Sequence, residues 1–225
     1  DPHTSSEDLL RQADLAMYRA KDGGRNRVEA YVETLETAAV ARMRVQEYLR
    51  AAISGGSVQV KYQPIVALDR SGVPALEALA RITAPAAVST AEFIETAEKN
   101  GLMGTLGAEV LRLVLADVHR WQNRHLQTRV HLNVSLSQLS ETGFGEQVFE
   151  RVVAAGVRPS QLCFEVSDTP ALRRSDDLIS ALLRLRDLGF RVGIDGFGAG
   201  YAGLASLKIL SADYIKIDRS FIDNL

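Results

Sequence analysis

The chain has 225 residues, of which 46% are hydrophobic and 24% are charged, and its formal net charge is −2. This composition can form a packed core, and it provides no basic surface for nucleic acid or an anionic membrane. The single cysteine, Cys163, excludes an internal disulfide and a cysteine-rich zinc site. No apolar run approaches the roughly 20 residues of a membrane span and no signal-peptide pattern opens the chain, so we expect a cytoplasmic protein. Because the sequence begins at Asp1 rather than Met, we also expect it to be part of a longer protein.

The first part of the chain shows two helical patterns. Residues 5–21 have a serine cap and an apolar stripe at helical spacing, and residues 25–31 have the composition of a short strand. A second helical pattern covers residues 33–53. One helix and one strand cannot form a core alone. We therefore predict that residues 1–32 are the end of a preceding domain and that residues 33–56 are a helical connector.

An alternation of strands and helices begins at Val58. It predicts six strands, at residues 58–67, 75–82, 129–135, 162–167, 191–195 and 214–218. Helical patterns separate the later strands, at residues 91–99, 103–123, 145–155, 175–188 and 203–210. Such an alternation is typical of a parallel sheet with helices outside it. The short turn near Ser71 and Gly72 favours an antiparallel first pair, because parallel strands need a long crossover.

Polar side chains recur on one face of these predicted strands. Successive residues of a strand point to opposite faces, so every second position can be assigned to the same face. In the parallel strands the charged or amide group lies toward the carboxyl end, where the active site of a (β/α) barrel forms. The positions that share this face are Glu77, Leu79 and Arg81; His131, Asn133 and Ser135; Cys163, Glu165 and Ser167; Gly193 and Asp195; and Tyr214, Lys216 and Asp218.

Four of these positions form an all-oxygen set that suits a divalent cation: Glu77, Asn133, Glu165 and Asp195. Taken singly, an acid or amide at a strand end is more often a helix cap or a partner of a loop amide. Several carboxylates buried together, however, need cations to balance them, and oxygen ligands select Mg²⁺ or Mn²⁺. Lys216 would meet an anionic phosphate or the attacking water. The pattern predicts metal-dependent phosphodiester chemistry or phosphoester binding.

Residues 198–203 spell G-x-G-x-x-G and raise the alternative of a loop that holds dinucleotide phosphates. Two residues separate this motif from the preceding strand, and the next predicted strand starts only about ten residues after Gly203. This leaves little room for the long helix of a dinucleotide-binding fold. The sequence therefore favours the carboxylate site over the phosphate loop.

Six motifs in order resemble those of EAL domains, which are phosphodiesterases of the bacterial second messenger cyclic di-GMP. They are YQPIVAL (62–68), EALAR (77–81), NVS (133–135), FEVSD (164–168), DGFGAGYAGL (195–204) and KIDRSF (216–221). A further stretch, ADLAMYRAKDGGRNRV (13–28), resembles the last helix and strand of a GGDEF diguanylate cyclase domain, which often precedes an EAL domain. The resemblance covers nearly the whole chain, and it identifies residues 1–32 as a GGDEF remnant and residues 57–225 as an EAL-type domain.

The resemblance implies an α/β fold, a TIM-type (β/α) barrel with an antiparallel first strand. It also implies that Lys216 acts on the water or the phosphate and that Asp218 belongs to the side of a second metal ion. The first metal ion, Mg²⁺ or Mn²⁺, would be bound by Glu77, Asn133, Glu165 and Asp195.

Three more positions match residues of known role in the family. Gln63 and Arg81 match residues that contact the dinucleotide. Asp168 stands where the family usually has a Glu that steadies an active-site loop, and the shorter side chain reduces its reach by one methylene. We expect this difference to affect the order of the loop.

Two departures from the family pattern bear on catalysis. The family usually has a second Asp directly after the position of Asp195, and this chain has Gly196 there, so a ligand of the second metal ion is missing. Loss of one carboxylate from a two-metal site should slow the hydrolysis. The sequence also stops at Leu225, which leads us to expect a barrel with about six of its eight strands and without a further site acid.

We therefore expect a divergent EAL domain that binds cyclic di-GMP and hydrolyses it weakly or not at all. One alternative is a working phosphodiesterase in the full-length parent, and another is a regulatory dimerisation module without a nucleotide ligand. Upstream GGDEF or sensor domains, which could tether the parent to a membrane, are expected, and a homodimer is left open. The chain itself carries no GGDEF signature, so we do not expect it to synthesise cyclic di-GMP.

Overall fold

The computed structural model describes residues 6–22, 28–31, 46–66, 75–82, 90–198 and 212–221. The chain divides into two compact units, Asp1–Ala51 and Ala52–Leu225. In the first unit, helix α1 covers Ser6–Asp22, as the sequence predicted. Residues 28–31 lie in neither a helix nor a strand, so the described part of the strand predicted over 25–31 is not a strand. Residues 46–54 are helical (α2), and the earlier part of the predicted helix lies outside the described residues.

The second unit contains all six predicted strands, with ends that differ from the prediction by at most two residues. The strands are β1 (Val58–Ile65), β2 (Ala75–Ile82), β3 (Arg129–Asn133), β4 (Leu162–Ser167), β5 (Arg191–Phe197) and β6 (Tyr214–Ile217). The helices are α3 (Thr90–Lys99), α4 (Met103–Gln122), α5 (Leu136–Leu139), α6 (Phe144–Ala154), α7 (Pro170–Arg173) and α8 (Asp176–Asp187). The turn near Ser71 and the helix predicted at 203–210 lie outside the described residues.

The sequence patterns do not predict the short helices α5 and α7. Ser135 caps α5: its hydroxyl accepts from the backbone N–H of Gln138, while the Gln138 side chain accepts from the backbone N–H of Ser135. Thr169 caps α7 through a bond from the N–H of Leu172. The strand position predicted for Ser135 is therefore wrong, because β3 ends at Asn133 and the serine begins a helix.

The strands follow one another in the sheet in chain order, from β1 to β6. β1 and β2 are antiparallel, and each later neighbouring pair is parallel, as predicted. A dinucleotide-binding fold would reverse its strand order at a switch point, which is where its ligand binds. The sheet has no such reversal among its described strands, and this contradicts the phosphate-loop alternative.

The sheet is strongly curved. Lys216 Nζ on β6 lies 2.8 Å from Glu77 Oε2 on β2, although three strands separate them. In a flat sheet these two strands would lie about 19 Å apart, which is farther than a lysine and a glutamate side chain can bridge. The faces that carry the polar positions therefore turn toward each other, as they do inside a barrel.

The apolar core lies between the other face of the sheet and the helices. Alternate residues of the parallel strands pack there against apolar positions of α4, α6 and α8. Five fully buried members of this core are Val130, Leu162, Val166, Leu182 and Leu185. Within the described ranges, no helix is long and apolar enough to cross a lipid bilayer.

Candidate active site

The candidate site lies on the inner face of the sheet, which is the face turned away from the helices. It lies toward the carboxyl ends of β3 and β4 and beside the first half of β2, where Glu77 is the third residue. Strand register determines which side chains are neighbours: Glu77 pairs with His131, and Asn133 pairs with Glu165. These residues alternate with the core residues of the same strands, so they share the inner face, as the sequence predicted. Because the helices pack on the outer face of the sheet, the polar side chains on the inner face contact one another and not the helices.

Lys216 joins the two glutamates. Its Nζ donates to Glu77 Oε2 and to Glu165 Oε2, each at 2.8 Å, and Asn133 Nδ2 donates to Glu77 Oε1 at 3.0 Å. Burial of Lys216 works to lower its pKa, but the hydrogen bonds to Glu165 and Glu77 outweigh it and raise the pKa above the usual value. The lysine is therefore a cation held by two carboxylates.

Glu165 is the most enclosed member of the site, with a side chain that is 0% exposed. Its Oε1 lies 2.8 Å from Nδ1 of His131 and 2.6 Å from the hydroxyl of Tyr214. Burial works to raise the pKa of Glu165, but the hydrogen bonds from His131, Lys216 and Tyr214 hold it below its usual value. An ionised carboxylate only accepts hydrogen bonds, so His131 Nδ1 and the Tyr214 hydroxyl are the donors.

Tyr214 reaches Glu165 across β5, at a position where β5 has no side chain. Gly193 is the register partner of both Glu165 and Tyr214. A Cβ at Gly193 would lie 2.7 Å from Cε1 of the Tyr214 ring and closer still to Cζ. Strand alternation predicted the correct face for Tyr214 and Gly193, but neither residue was assigned a function. A glycine between polar positions on the neighbouring strands was the feature of the sequence that could have indicated a side chain crossing β5.

Asp195 lies at the site without direct contact to the glutamates among the described hydrogen bonds. Its Oδ1 accepts from the backbone N–H of Gly196 at 2.8 Å, and its charge contributes to the raised pKa of Lys216. The register of β5 against β6 shifts between Ile194 and Phe197, so the chain bulges here. Gly196 has φ +70°, and a Cβ there would meet nothing within 4 Å.

Three other predicted site residues, Asp218, Gln63 and Arg81, take no part in the described hydrogen bonds of the Lys216 cluster. Asp218 caps the turn after β6 by accepting from the N–H and hydroxyl of Ser220, which lower its pKa. Gln63 is exposed on β1 opposite Glu77, and Arg81 donates to the carbonyl of Ala80.

The carboxylate of Asp168 is buried. Its Oδ1 lies 3.4 Å from Arg173 Nη1, an ion pair without hydrogen-bond geometry. Its backbone N–H donates to the carbonyl of Asp195 at 3.0 Å, which ties the end of β4 to β5. No described contact tests whether Asp168 steadies an active-site loop, so that role stays a prediction.

The donor chemistry of the site fits a divalent cation in part. Among the residues that the structure describes, no three His, Cys, Asp or Glu side chains are grouped closely enough to hold a metal ion. The carboxylates of Glu77 and Glu165 nevertheless converge on one cation, the Lys216 ammonium, with the Asn133 amide beside them. Such an oxygen set matches the preference of Mg²⁺ and Mn²⁺.

A cavity of about 380 Å³ lies beside this cluster, between the outer face of the sheet and the helices α3, α4 and α6. Its lining includes the apolar residues Leu111, Val148 and Phe164, and it also includes polar residues such as Arg81 and Asn133. The cluster around Lys216 contains more carboxylates than ammonium groups, so an anionic ligand would gain there only with a divalent cation bound to those carboxylates.

The fold and the cluster define an open, barrel-like α/β domain with an acidic, lysine-containing site on the inner face of its sheet. A family model described as the EAL domain matches residues 46–225. The chain belongs to the EAL domain family.

Named relatives agree with this assignment. The chain is 35% identical to cyclic di-GMP phosphodiesterase NbdA of Pseudomonas aeruginosa, over 96% of this chain and 28% of NbdA. Among solved structures, it resembles the MucR phosphodiesterase in complex with c-di-GMP, at 30% identity and a TM-score of 0.73, over 80% of this chain and 74% of that one. It resembles the FimX EAL domain of Pseudomonas aeruginosa bound to c-di-GMP at 25% identity and a TM-score of 0.72, over 80% and 73%.

These likenesses confirm the predicted family and the TIM-type barrel with an antiparallel first strand, of which the described residues form an incomplete part. The chain spans about a quarter to a third of the length of the curated relatives that it matches. The GGDEF remnant at residues 1–32, the connector at 33–56 and the boundaries between them stay predictions.

Proposed function

We propose that this chain binds cyclic di-GMP at the carboxyl-terminal mouth of its barrel and hydrolyses it slowly or not at all. The observation that carries the proposal is the contact of Lys216 with Glu77 and Glu165, with Asn133 bonded to Glu77. The named relatives NbdA and MucR are cyclic di-GMP phosphodiesterases, and the MucR and FimX structures contain that ligand, which supports the choice of substrate.

The proposed roles follow from charge and position. Cyclic di-GMP carries two phosphodiester anions, and the protonated Lys216 supplies a cation for one of them or for the attacking water. Gln63 lies on β1 opposite Glu77, and Arg81 lies on β2; both would contact the rest of the dinucleotide. A bound Mg²⁺ or Mn²⁺ would polarise the phosphate and lower the pKa of the attacking water. The residues that would hold this ion are Glu77, Asn133, Glu165 and Asp195.

The weak catalysis follows from Gly196. Its backbone is placed beside Asp195, yet it presents no carboxylate, so a second ion would lose one oxygen ligand. Asp218, the other residue expected on that side, bonds to Ser220. Binding depends on the first-ion residues and on Gln63 and Arg81, which are present, whereas rapid hydrolysis depends on both ions.

Calorimetry and product analysis would test the two halves of this proposal separately. Titration of the 225-residue chain with cyclic di-GMP in Ca²⁺ measures binding, and chromatography in Mg²⁺ or Mn²⁺ measures conversion to linear pGpG. We expect saturable binding that Glu77→Gln abolishes, and little product. Glu146→Gln is the matched control, because Glu146 pairs with Arg184 on the surface. Absence of binding by the unmodified chain would overturn the proposal and leave a regulatory module without nucleotide ligand.

The names of NbdA and MucR favour a second candidate, an active phosphodiesterase in the longer parent protein. Rapid formation of pGpG by that parent, lost in its Glu77→Gln variant, would support this candidate and would show that Gly196 does not prevent catalysis. A homodimer, upstream signalling domains and a cytoplasmic location stay predictions.

A further inference from the structure

The oxygen Oε1 of Glu165 is held by two donors that belong to neither a predicted metal ligand nor a predicted substrate contact. His131 Nδ1 lies 2.8 Å from it and the Tyr214 hydroxyl 2.6 Å from it. The other oxygen, Oε2, contacts Lys216. The carboxylate thus has one oxygen saturated by the protein and one directed toward the cation that it shares with Glu77.

The two donors come from different strands and support each other. His131 lies on β3 and is 8% exposed, while Tyr214 reaches over from β6 through the space left by Gly193. Their ring centroids are 4.8 Å apart, so each ring limits the movement of the other. The terminal torsion of a glutamate is broad and has little preference of its own, so these two hydrogen bonds, together with the Lys216 contact to Oε2, determine the plane of the carboxylate.

We propose that His131 and Tyr214 are positioning residues that orient Glu165 for a divalent cation. The inference rests on the proposed function, because it takes Glu165 as a ligand of that ion. Partners that hydrogen-bond a ligand carboxylate fix its orientation, and their loss typically weakens metal affinity by about 10–100-fold. Neither residue contacts the ion or the substrate in this role. Each acts through the glutamate.

Mn²⁺ binding provides a readout that is independent of turnover. Electron paramagnetic resonance of free Mn²⁺, titrated with the 225-residue chain, measures the affinity directly. Tyr214→Phe keeps the ring and removes only the hydroxyl, and we expect it to weaken Mn²⁺ binding by about tenfold or more. We expect His131→Leu to do the same, and His131→Asn to restore much of the affinity, because its amide nitrogen occupies a place similar to that of Nδ1.

Tyr62→Phe is the matched control. The Tyr62 hydroxyl donates to Asp117 Oδ2 at 2.6 Å, so this variant also loses a short tyrosine–carboxylate bond, but on β1 and α4 away from Glu165. Urea unfolding of each variant reports whether the fold is intact. We expect Tyr62→Phe to lose stability comparable to that of Tyr214→Phe and to bind Mn²⁺ like the unmodified chain.

The outcomes separate the two proposals. If the unmodified chain binds Mn²⁺ and Tyr214→Phe and His131→Leu bind it equally well, the positioning role is overturned while the metal site stands. An equal loss of affinity in Tyr62→Phe would overturn it as well, because the effect would then be one of general stability. If the unmodified chain binds no Mn²⁺, the metal site falls and the positioning role falls with it.

Discussion

Lys216 and Glu77 are 139 residues apart in sequence and 2.8 Å apart in the fold. The same ammonium also contacts Glu165, so one cation joins β2, β4 and β6 across the inner face of the sheet. Without the ammonium, the two glutamates would repel each other. Water would not screen this repulsion at Glu165, because its side chain is not exposed. The contact therefore stabilises the curved sheet as well as the candidate site.

Replacement of this cation should destabilise the protein. Lys216→Met preserves much of the side-chain volume but leaves the buried Glu165 without its charged partner, and we expect a loss of about 2 kcal/mol in the free energy of unfolding. Urea denaturation without metal ions measures it. Lys99→Met is the control. Lys99 forms an exposed ion pair with Glu95 on α3, and such a pair contributes little to the free energy of unfolding. An equal, small effect of both substitutions would contradict the structural role of Lys216.

The space at Gly193 should be essential for Tyr214. An alanine methyl group would overlap the tyrosine ring, whose displacement is limited by His131 behind it. We expect Gly193→Ala to cost about 1–3 kcal/mol, as overpacked cores do. The test is a double-mutant cycle in urea with Tyr214→Ala, which removes the ring. Most of the cost of Gly193→Ala should disappear in that background, and strictly additive effects would show that the ring is not what excludes the methyl group.

Acid should remove the stabilisation that Glu165 provides. Its pKa is lower in the folded state than its usual value of 4.5, so the ionised form is favoured by folding. The resulting stability is fully present above pH 4.5 and is lost as the pH falls through the folded pKa. Thermal unfolding of the unmodified chain and of Glu165→Gln over this range measures the difference. We expect the two stabilities to converge as the pH falls below 4.5 and through the folded pKa, whereas a difference that does not change over this range would show that folding does not lower the pKa of Glu165.

Alternation of apolar and polar residues predicted most of this architecture. On β3 and β4 the buried valines and leucines alternate with Asn133 and Glu165, and this pattern needs no knowledge of the rest of the chain. The site face, the four candidate metal ligands and Lys216 could be proposed from it because strand periodicity and the position of each acid are local properties of the sequence.

Other features depend on contacts that a local pattern does not contain. A four-residue helix such as α5 has no hydrophobic period, so Ser135 resembled a strand residue until its bonds with Gln138 revealed a cap. The function of Tyr214 depends on which residue of β5 lies beside it, and that is decided by register. Asp218 has the spacing of a site acid, yet its nearest donors belong to Ser220, two residues further along the chain.

Gly196 allows a direct test of why catalysis should be slow. Its φ of +70° lies in the left-handed region, which aspartate and asparagine tolerate better than most residues, and the space around its missing Cβ is open. Gly196→Asp should therefore fold, at a cost of about 1 kcal/mol for the backbone conformation. It would add a carboxylate beside Asp195, and we expect Mg²⁺- or Mn²⁺-dependent formation of pGpG to rise by about tenfold or more.

Gly196→Asn is the matched variant, because it has the same shape and backbone preference but no charge. The rate of pGpG formation by both variants and by the unmodified chain, measured at saturating cyclic di-GMP, separates the charge from the change in backbone. We expect the asparagine variant to remain close to the unmodified chain, since a neutral amide is a weaker ligand for a hard cation than a carboxylate. If both variants are equally fast, a stiffer bulge accounts for the gain, and if neither is faster, residue 196 is not what limits hydrolysis.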